Sequence, residues 1–245
     1  MTGMVVGVNA AKDRLRVAHD DIPGFMEKMT MEFGVSAGTD ISAFVPGDII
    51  AGKLLVTETH TKLTEIRKTG HGTPPKAPAP SGVPEVGVEV PDVALTDDSG
   101  AAIRVSDYRG KALAITFIYT RCPLPDYCPR MNSNFATAIR DLADARCQWL
   151  SVTIDPANDT PQLLADYAKQ FSARDGRWKF ATGSVEEVSK LAKFAGLEIR
   201  AAAGAQIDHN LRTIVVAEDG KITKVFTGNQ WKPEELVQEM KSALR

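Results

Sequence analysis

Between Thr73 and Gly87 the chain reads TPPKAPAPSGVPEVG, and this stretch decides how the rest can fold. Five of its 14 prolines (Pro74, Pro75, Pro78, Pro80 and Pro84) fall here, interleaved with Ala, Gly and Ser. Proline fixes φ and lacks an N–H, so the segment holds neither a helix nor a central strand and reads as a stiff, polyproline-like spacer. Taken as residues 73–86, the spacer divides the 245-residue chain into a first piece, 1–72, and a second, 87–245. Both are of domain size, and no internal repeat relates them.

The first piece reads as β. MVVGVNA and RLRVAHD alternate apolar and other residues around a turn at Ala11-Lys12-Asp13, as a half-buried hairpin should. KMTMEFGV, DIIAGKLLVTET and TKLTEIRK add three strand-like segments. Five short strands in about 70 residues point to a small closed barrel of the OB type.

The second piece alternates β and α. KALAITFIYT (111–120) is a continuous, β-branched apolar run, the mark of a strand buried on both faces. PRMNSNFATAIRDLADA (129–145) has helical spacing, and CQWLSVTID returns to strand. TPQLLADYAKQF is a helix with Asp159 or Thr160 as cap and Pro161 in its first turn. SVEEVSKLAKFAG is another helix, ending at Gly196. LRTIVVA and KITKVFT flank a hairpin turn at Glu218-Asp219-Gly220, and KPEELVQEMKSALR closes as a helix. The order β-α-β-α-α-β-β-α resembles a thioredoxin fold, an α/β sheet with helices on both faces.

Composition narrows the functional classes. Lys plus Arg come to 29 and Asp plus Glu to 31, a net charge of −2, so no cationic surplus exists for nucleic-acid phosphates. No apolar run approaches the roughly 20 residues of a spanning helix. The opening MTGMVVGV has neither a basic nor a long apolar segment, so no signal peptide is expected within this chain. Three cysteines are too few for a disulfide scaffold.

Two of those three, Cys122 and Cys128, converge on YTRCPLPDYCPRMN, the junction between the buried strand and the following helix. Open α/β sheets bind ligands at the carboxyl ends of their strands. A helix N-terminus there favours the thiolate, hence metal binding or disulfide exchange. Five residues separate the thiols, not the two of an ordinary thioredoxin motif. His209, in IDHNLRTIVV, stands where thioredoxin-like oxidoreductases carry a cis-proline facing the thiols. Two thiolates and one imidazole suit copper, and also zinc. Cys147, at the start of a buried strand, reads as a small core hydrophobe far from the pair.

In the first piece Met29 and Met31 project to one strand face, with His19 ending the preceding strand and Met26 close by. Thioethers are soft donors, so the cluster suits Cu(I) or Ag(I). Methionines also fill cores, and the residues alone leave both readings open.

FIYTRCPLPDYCP, SVTIDPANDTP, RWKFATG and DHNLRT, in that order, resemble the Sco/SenC family of copper-binding thioredoxin-fold proteins across residues 87–245. The resemblance implies that Cys122, Cys128 and His209 bind one copper ion for delivery to the CuA centre of cytochrome c oxidase or another copper acceptor. The family spaces its cysteines by three residues, and the loop here carries two extra prolines. Asp155-Pro156 and Asp159-Thr160-Pro161 belong to the same pattern, and read from the residues they are a strand exit and a helix cap.

AHDDIPGFMEKMTMEFGV and VPGDII are similar to the small periplasmic CusF-like Cu(I)/Ag(I)-binding barrels of metal-efflux systems. That resemblance implies a Cu(I) site at His19, Met29 and Met31. Where the family caps the metal with tryptophan this chain has Met26, which either adds a thioether or points outward. His60 and His71 match neither pattern and read as solvated; Trp149, Trp178 and Trp231 read as packing residues.

The expectation is a periplasmic or extracytoplasmic metallochaperone with Cu(I) at the His/Met site and Cu(I) or Cu(II) at the Cys/Cys/His site. At about 3.1 Å per residue the dozen linker residues reach roughly 35 Å, so copper transfer between domains is geometrically open. Two other readings stand beside it. One is a thiol-disulfide reductase cycling Cys122 and Cys128; the other is a copper-resistance buffer that delivers to nothing.

Overall fold

The computed structural model describes residues 1–9, 13–58, 60–74, 82–171, 176–201 and 207–244. Ala11 and Lys12 of the first expected turn, and residues 75–81 of the spacer, lie outside them. The chain divides into two compact units. The first comprises Met1–Pro80, Pro123–Asp126 and Ile199–Asp208; the second comprises Ser81–Cys122, Tyr127–Glu198 and His209–Arg245.

The first unit is a closed five-stranded barrel of β1 (Thr2–Asn9), β2 (Arg14–His19), β3 (Met29–Val35), β4 (Asp48–Val56) and β5 (Thr61–His71), ordered β1-β2-β3-β5-β4. β1 pairs antiparallel with both β2 and β4, and β3 runs parallel to β5, so no edge is left open. Alternation supplies the core: Val5, Leu15, Val17, Phe33, Ile50 and Leu63 point inward and are fully buried. The barrel expected from the strand pattern is present, with all five strands where that pattern put them.

The second unit is built on a seven-stranded sheet. Its strands are β6 (Ala94–Asp97), β7 (Ala102–Arg104), β8 (Ala112–Ile118), β9 (Cys147–Thr153), β10 (Trp178–Thr182), β13 (Arg212–Val216) and β14 (Ile222–Thr227). Their order is β14-β13-β8-β9-β10-β6-β7. β8, β9 and β10 run parallel, and β13 pairs antiparallel with β8. Every residue of β8 is buried, as its unbroken apolar sequence requires. The helices are α1 (Cys128–Asp141), α2 (Pro161–Ala168), α3 (Val185–Phe194) and α4 (Pro233–Ser242). α1 and α4 pack on each other and on β8, α2 on β10, and α3 on β6. The short strands β11 (Ile199–Ala201) and β12 (Ile207–His209) pair with each other.

The structure corrects the expected order. β10 intervenes between α2 and α3, so the connection is β-α-β-α-β-α rather than two successive helices. The hairpin β6–β7 precedes the first buried strand. α1 ends at Asp141, four residues before the expected end, and Cys128 is its first residue rather than one preceding it. The Glu218–Gly220 turn forms as expected, with Gly220 at φ +81° joining β13 to β14. Trp149, Trp178 and Trp231 are buried, as read.

Candidate metal centres

In the second unit the chain leaves β8 at Ile118 and passes through Tyr119, Thr120 and Arg121 to Cys122. Cys122 is half-buried and Cys128 is fully buried at the first position of α1. Of the residues between them, Pro123–Asp126 group with the first unit and Tyr127 with the second. Across the five-residue spacing the two thiols are in hydrogen-bond contact. All three cysteines are thiols rather than disulfides.

Burial pushes the Cys128 thiol well above its ordinary range, and the adjacent Cys122 adds to the effect. The Tyr119 N–H and the Cys128 N–H, both donating to the sulfur, act in the opposite sense. The helix terminus therefore does not produce a ready thiolate at Cys128; desolvation outweighs it. Cys147 opens β9, fully buried, and its thiol is pushed up to about 11 by burial.

His209 ends β12 and is 8 % exposed. Its Nδ1 lies 2.7 Å from the Asn210 carbonyl oxygen, which can only accept, so the ring proton is on Nδ1 and Nε2 carries a lone pair. That Nε2 is buried and has no hydrogen-bond partner among the described residues. Burial lowers the imidazole to about 4, so it is neutral at pH 7. Tyr119 links the three residues. Its carbonyl accepts from the Cys122 N–H at 3.3 Å, its N–H serves the Cys128 sulfur, and its ring meets the His209 imidazole edge-on at 5.7 Å. The structure thus brings the thiols together and joins His209 to them through Tyr119. Among the described residues, no three His, Cys, Asp or Glu side chains are gathered as one ligand set.

Reading the residues missed what holds this loop in place. Thr160, not Asp159, caps α2, its hydroxyl accepting from the Leu163 N–H at 3.3 Å. Asp159 is fully buried and turned to the loop. It accepts from the Thr120 N–H at 3.1 Å and from the Thr120 and Thr153 hydroxyls. Asp155 pairs with Arg121 at 2.5 Å and accepts from Asn158 Nδ2 at 2.7 Å. The two aspartates anchor the residues immediately before Cys122. The only signal was their place in the motif SVTIDPANDTP, without a geometric reason.

In the barrel, His19 is paired across the β2–β3 ladder with Met29, and Val17 with Met31. Alternation puts His19, Met29 and Met31 on one face. His19 and Met31 are buried and Met29 is half-buried. Met26 is also buried, held by a short bridge in which the Ile22 and Met26 backbones exchange hydrogen bonds of 2.7 and 3.0 Å; it does not point outward. His19 Nδ1 lies 2.7 Å from the Asp20 carbonyl, and its Nε2 is buried without a hydrogen-bond partner among the described residues. Burial lowers this imidazole too. Gly3, opposite His19 on β1, allows the approach: a Cβ there would lie 2.7 Å from the His19 Cα and the Ala18 carbonyl. His71 is not merely solvated, since its Nδ1 pairs with Asp48 at 3.1 Å.

A closed barrel followed by a thioredoxin-type sheet, with paired thiols at the strand-to-helix junction, defines a two-part thioredoxin-fold protein of the dithiol kind. The family model described as SCO1/SenC matches residues 87–245, and the chain belongs to that family. The model described as copper binding periplasmic protein CusF matches residues 1–68. The chain is 26% identical over 161 residues to the SCO1 protein homolog of Bacillus subtilis, covering 63% of this chain and 82% of that one. It is 27% identical over 151 residues to the human mitochondrial Protein SCO1 homolog, spanning about half of that protein's length (48%). The structure of Bradyrhizobium japonicum ScoI with copper bound shares the fold at a TM-score of 0.55 and 24% identity, covering 64% of this chain and 100% of that one. Among the described residues no helix is long and apolar enough to cross a membrane.

Proposed function

We propose that this chain is an extracytoplasmic copper-binding protein with two copper sites, a metallochaperone rather than an enzyme. One ion is held by Cys122, Cys128 and His209, as Cu(I) or Cu(II). The other is Cu(I), held by His19, Met29 and Met31, with Met26 as a further thioether. The cargo passes from the chain to a copper acceptor such as the CuA subunit of cytochrome c oxidase. Transfer between the two sites within one chain precedes delivery.

The observation that carries this reading is the state of the two histidines. Each is buried, has its proton fixed on Nδ1 by the next carbonyl, and is left with an Nε2 lone pair that no described residue uses. A buried acceptor without a partner is costly, on the order of 1–3 kcal/mol, and a metal ion offsets that cost. Soft sulfur accompanies each histidine in its own unit, which is the donor chemistry of copper. Closing the thiol site needs His209 and the pair to approach when the ion enters.

Anaerobic Cu(I) titration of the reduced protein against a chromophoric chelator tests the reading, alongside Cys122→Ser/Cys128→Ser and Met29→Leu/Met31→Leu variants. Two tight equivalents, each lost in one variant, are expected. One equivalent that survives the methionine changes reduces the barrel to a structural module, and no tight copper at the cysteines overturns delivery. The contact between the thiols also favours a second reading, disulfide exchange with partner cysteines through the more accessible Cys122. His209→Ala separates the two, because it weakens copper binding and leaves dithiol exchange largely intact.

A further inference from the structure

The state of His209 depends on one carbonyl, that of Asn210, which takes the Nδ1 proton. What holds that carbonyl begins at the end of α3. Past the helix the chain turns through Gly196 at φ +72°, a conformation glycine adopts without strain. The Gly196 N–H donates to the Lys193 carbonyl at 3.0 Å and the Leu197 N–H to the Ala192 carbonyl at 2.9 Å, the two bonds of a Schellman cap. Leu197 is buried beneath it. Residues 196–198 are therefore fixed to the helix.

Asn210 grips this cap with its whole polar complement. Its Nδ2 donates to the Gly196 carbonyl at 3.2 Å, and its Oδ1 accepts from the Glu198 N–H at 2.9 Å. Its backbone N–H donates to the Glu198 carbonyl at 3.3 Å, while its own carbonyl faces His209 Nδ1 at 2.7 Å. A side-chain amide can donate and accept at once; a carboxylate can only accept. Ile199–Asp208 group with the first unit, whereas Glu198 and His209 belong to the second. The clamp thus closes the base of that excursion, one residue past the histidine.

The barrel repeats the device with different residues. The Asp20 carbonyl takes the His19 Nδ1 proton at 2.7 Å. Asp20 is tied in turn to the start of β1: its N–H donates to the Thr2 carbonyl at 3.0 Å, and its carboxylate accepts from the Thr2 hydroxyl. In each of two unrelated folds the residue after the histidine is locked, and the imidazole is locked through it.

We propose that Asn210 is the positioning residue of His209: its side-chain clamp on the α3 cap holds the carbonyl that keeps the ring proton on Nδ1 and leaves Nε2 as a bare lone pair. The inference rests on the copper reading and deepens it, since a neutral imidazole binds metal through the nitrogen that carries no proton. Without the clamp the carbonyl is free to turn away, and nothing then selects Nδ1–H over Nε2–H.

The test is 15N NMR of the whole, metal-free chain at pH 7, labelled at histidine, in which the two nitrogen shifts of each ring report its tautomer. Wild type is expected to show Nδ1–H at both His209 and His19. Asn210→Ala is expected to lower the ratio of Nδ1–H to Nε2–H at His209 about three- to tenfold, the worth of one neutral hydrogen bond, with His19 unchanged as internal reference. Asn210→Asp keeps the acceptor for Glu198 and loses the donor to Gly196, so its ratio is expected between the two. If Asn210→Ala does not fold, Asn210→Asp alone decides. An Nε2–H ring at His209 in wild type, a ratio unchanged in the folded variants, or a His19 ratio that moves as far as that of His209 would each overturn the proposal. Because no copper is present, the outcome is separate from the copper reading: a shifted tautomer with unchanged Cu(I) affinity removes His209 from the ligands and leaves Asn210 its role.

Discussion

Burial holds the His209 imidazole at about 4 against an ordinary 6.5. The unfolded chain therefore takes up a proton there as pH falls below 6.5, and the folded chain does so only near 4. Stability rises with pH wherever the unfolded state binds more protons, so the penalty is absent above pH 6.5 and grows as pH drops toward 4. Between pH 7 and pH 5 this one residue costs the apo protein about 2 kcal/mol. Urea unfolding at both pH values is expected to show that loss in wild type and a clearly smaller one in His209→Gln; equal losses would remove His209 as the cause. At this scale the sequence named the soft donors, because Cys, His and Met are few and their chemistry is distinctive. It could not name Tyr119, whose part is played by a carbonyl, an N–H and a ring edge at once. Nor could it show the Cys128 thiol raised rather than lowered, since the helix terminus is visible in the sequence and the desolvation opposing it is not.

The loop that carries Cys122 owes its position to the turn between β9 and α2. Asp159 ties that turn to Thr120, and Asp155 ties it to Arg121. Asp159→Asn replaces an all-acceptor group with one that presents a donor to three donors. It is expected to destabilise the second unit by about 1–3 kcal/mol. The loop should loosen as well, so Cys122 alkylation by iodoacetamide speeds up while Cys147 stays unreactive. An unchanged Cys122 rate would mean that the anchor does not govern the thiol. The buried strand β8 was legible from its unbroken apolar run and the longer helices from their spacing. β10 and the β6–β7 hairpin were not, because strands of five, four and three residues are too short to display a period. Missing β10 left two helices in succession.

For the whole molecule, the Pro-rich spacer was the strongest organising signal: the five-stranded barrel lies before it and the seven-stranded sheet after it, while Pro123–Asp126 and Ile199–Asp208 group with the first unit rather than the second. On the proposed reading, one chain holding both copper sites makes transfer a first-order event. With Cu(I) loaded first at the His/Met site, the growth of thiolate-to-copper absorption is expected to proceed at a rate independent of protein concentration. A rate proportional to concentration would mean exchange between separate chains.

The two histidines, each already neutral and already holding its proton on Nδ1, release nothing when a metal arrives at Nε2. The thioethers have no proton to lose. The thiols do, and Cys128 holds its proton unusually tightly. On the proposed reading, copper moving from barrel to dithiol is an exchange of metal for acid, and the direction in which it runs is written in the pH. Each proton expelled tilts the equilibrium about tenfold per pH unit toward the dithiol as the surroundings become more alkaline. On that reading acidification drives the ion back to the barrel, and a chain that hands copper on in a neutral compartment would retain it in an acid one.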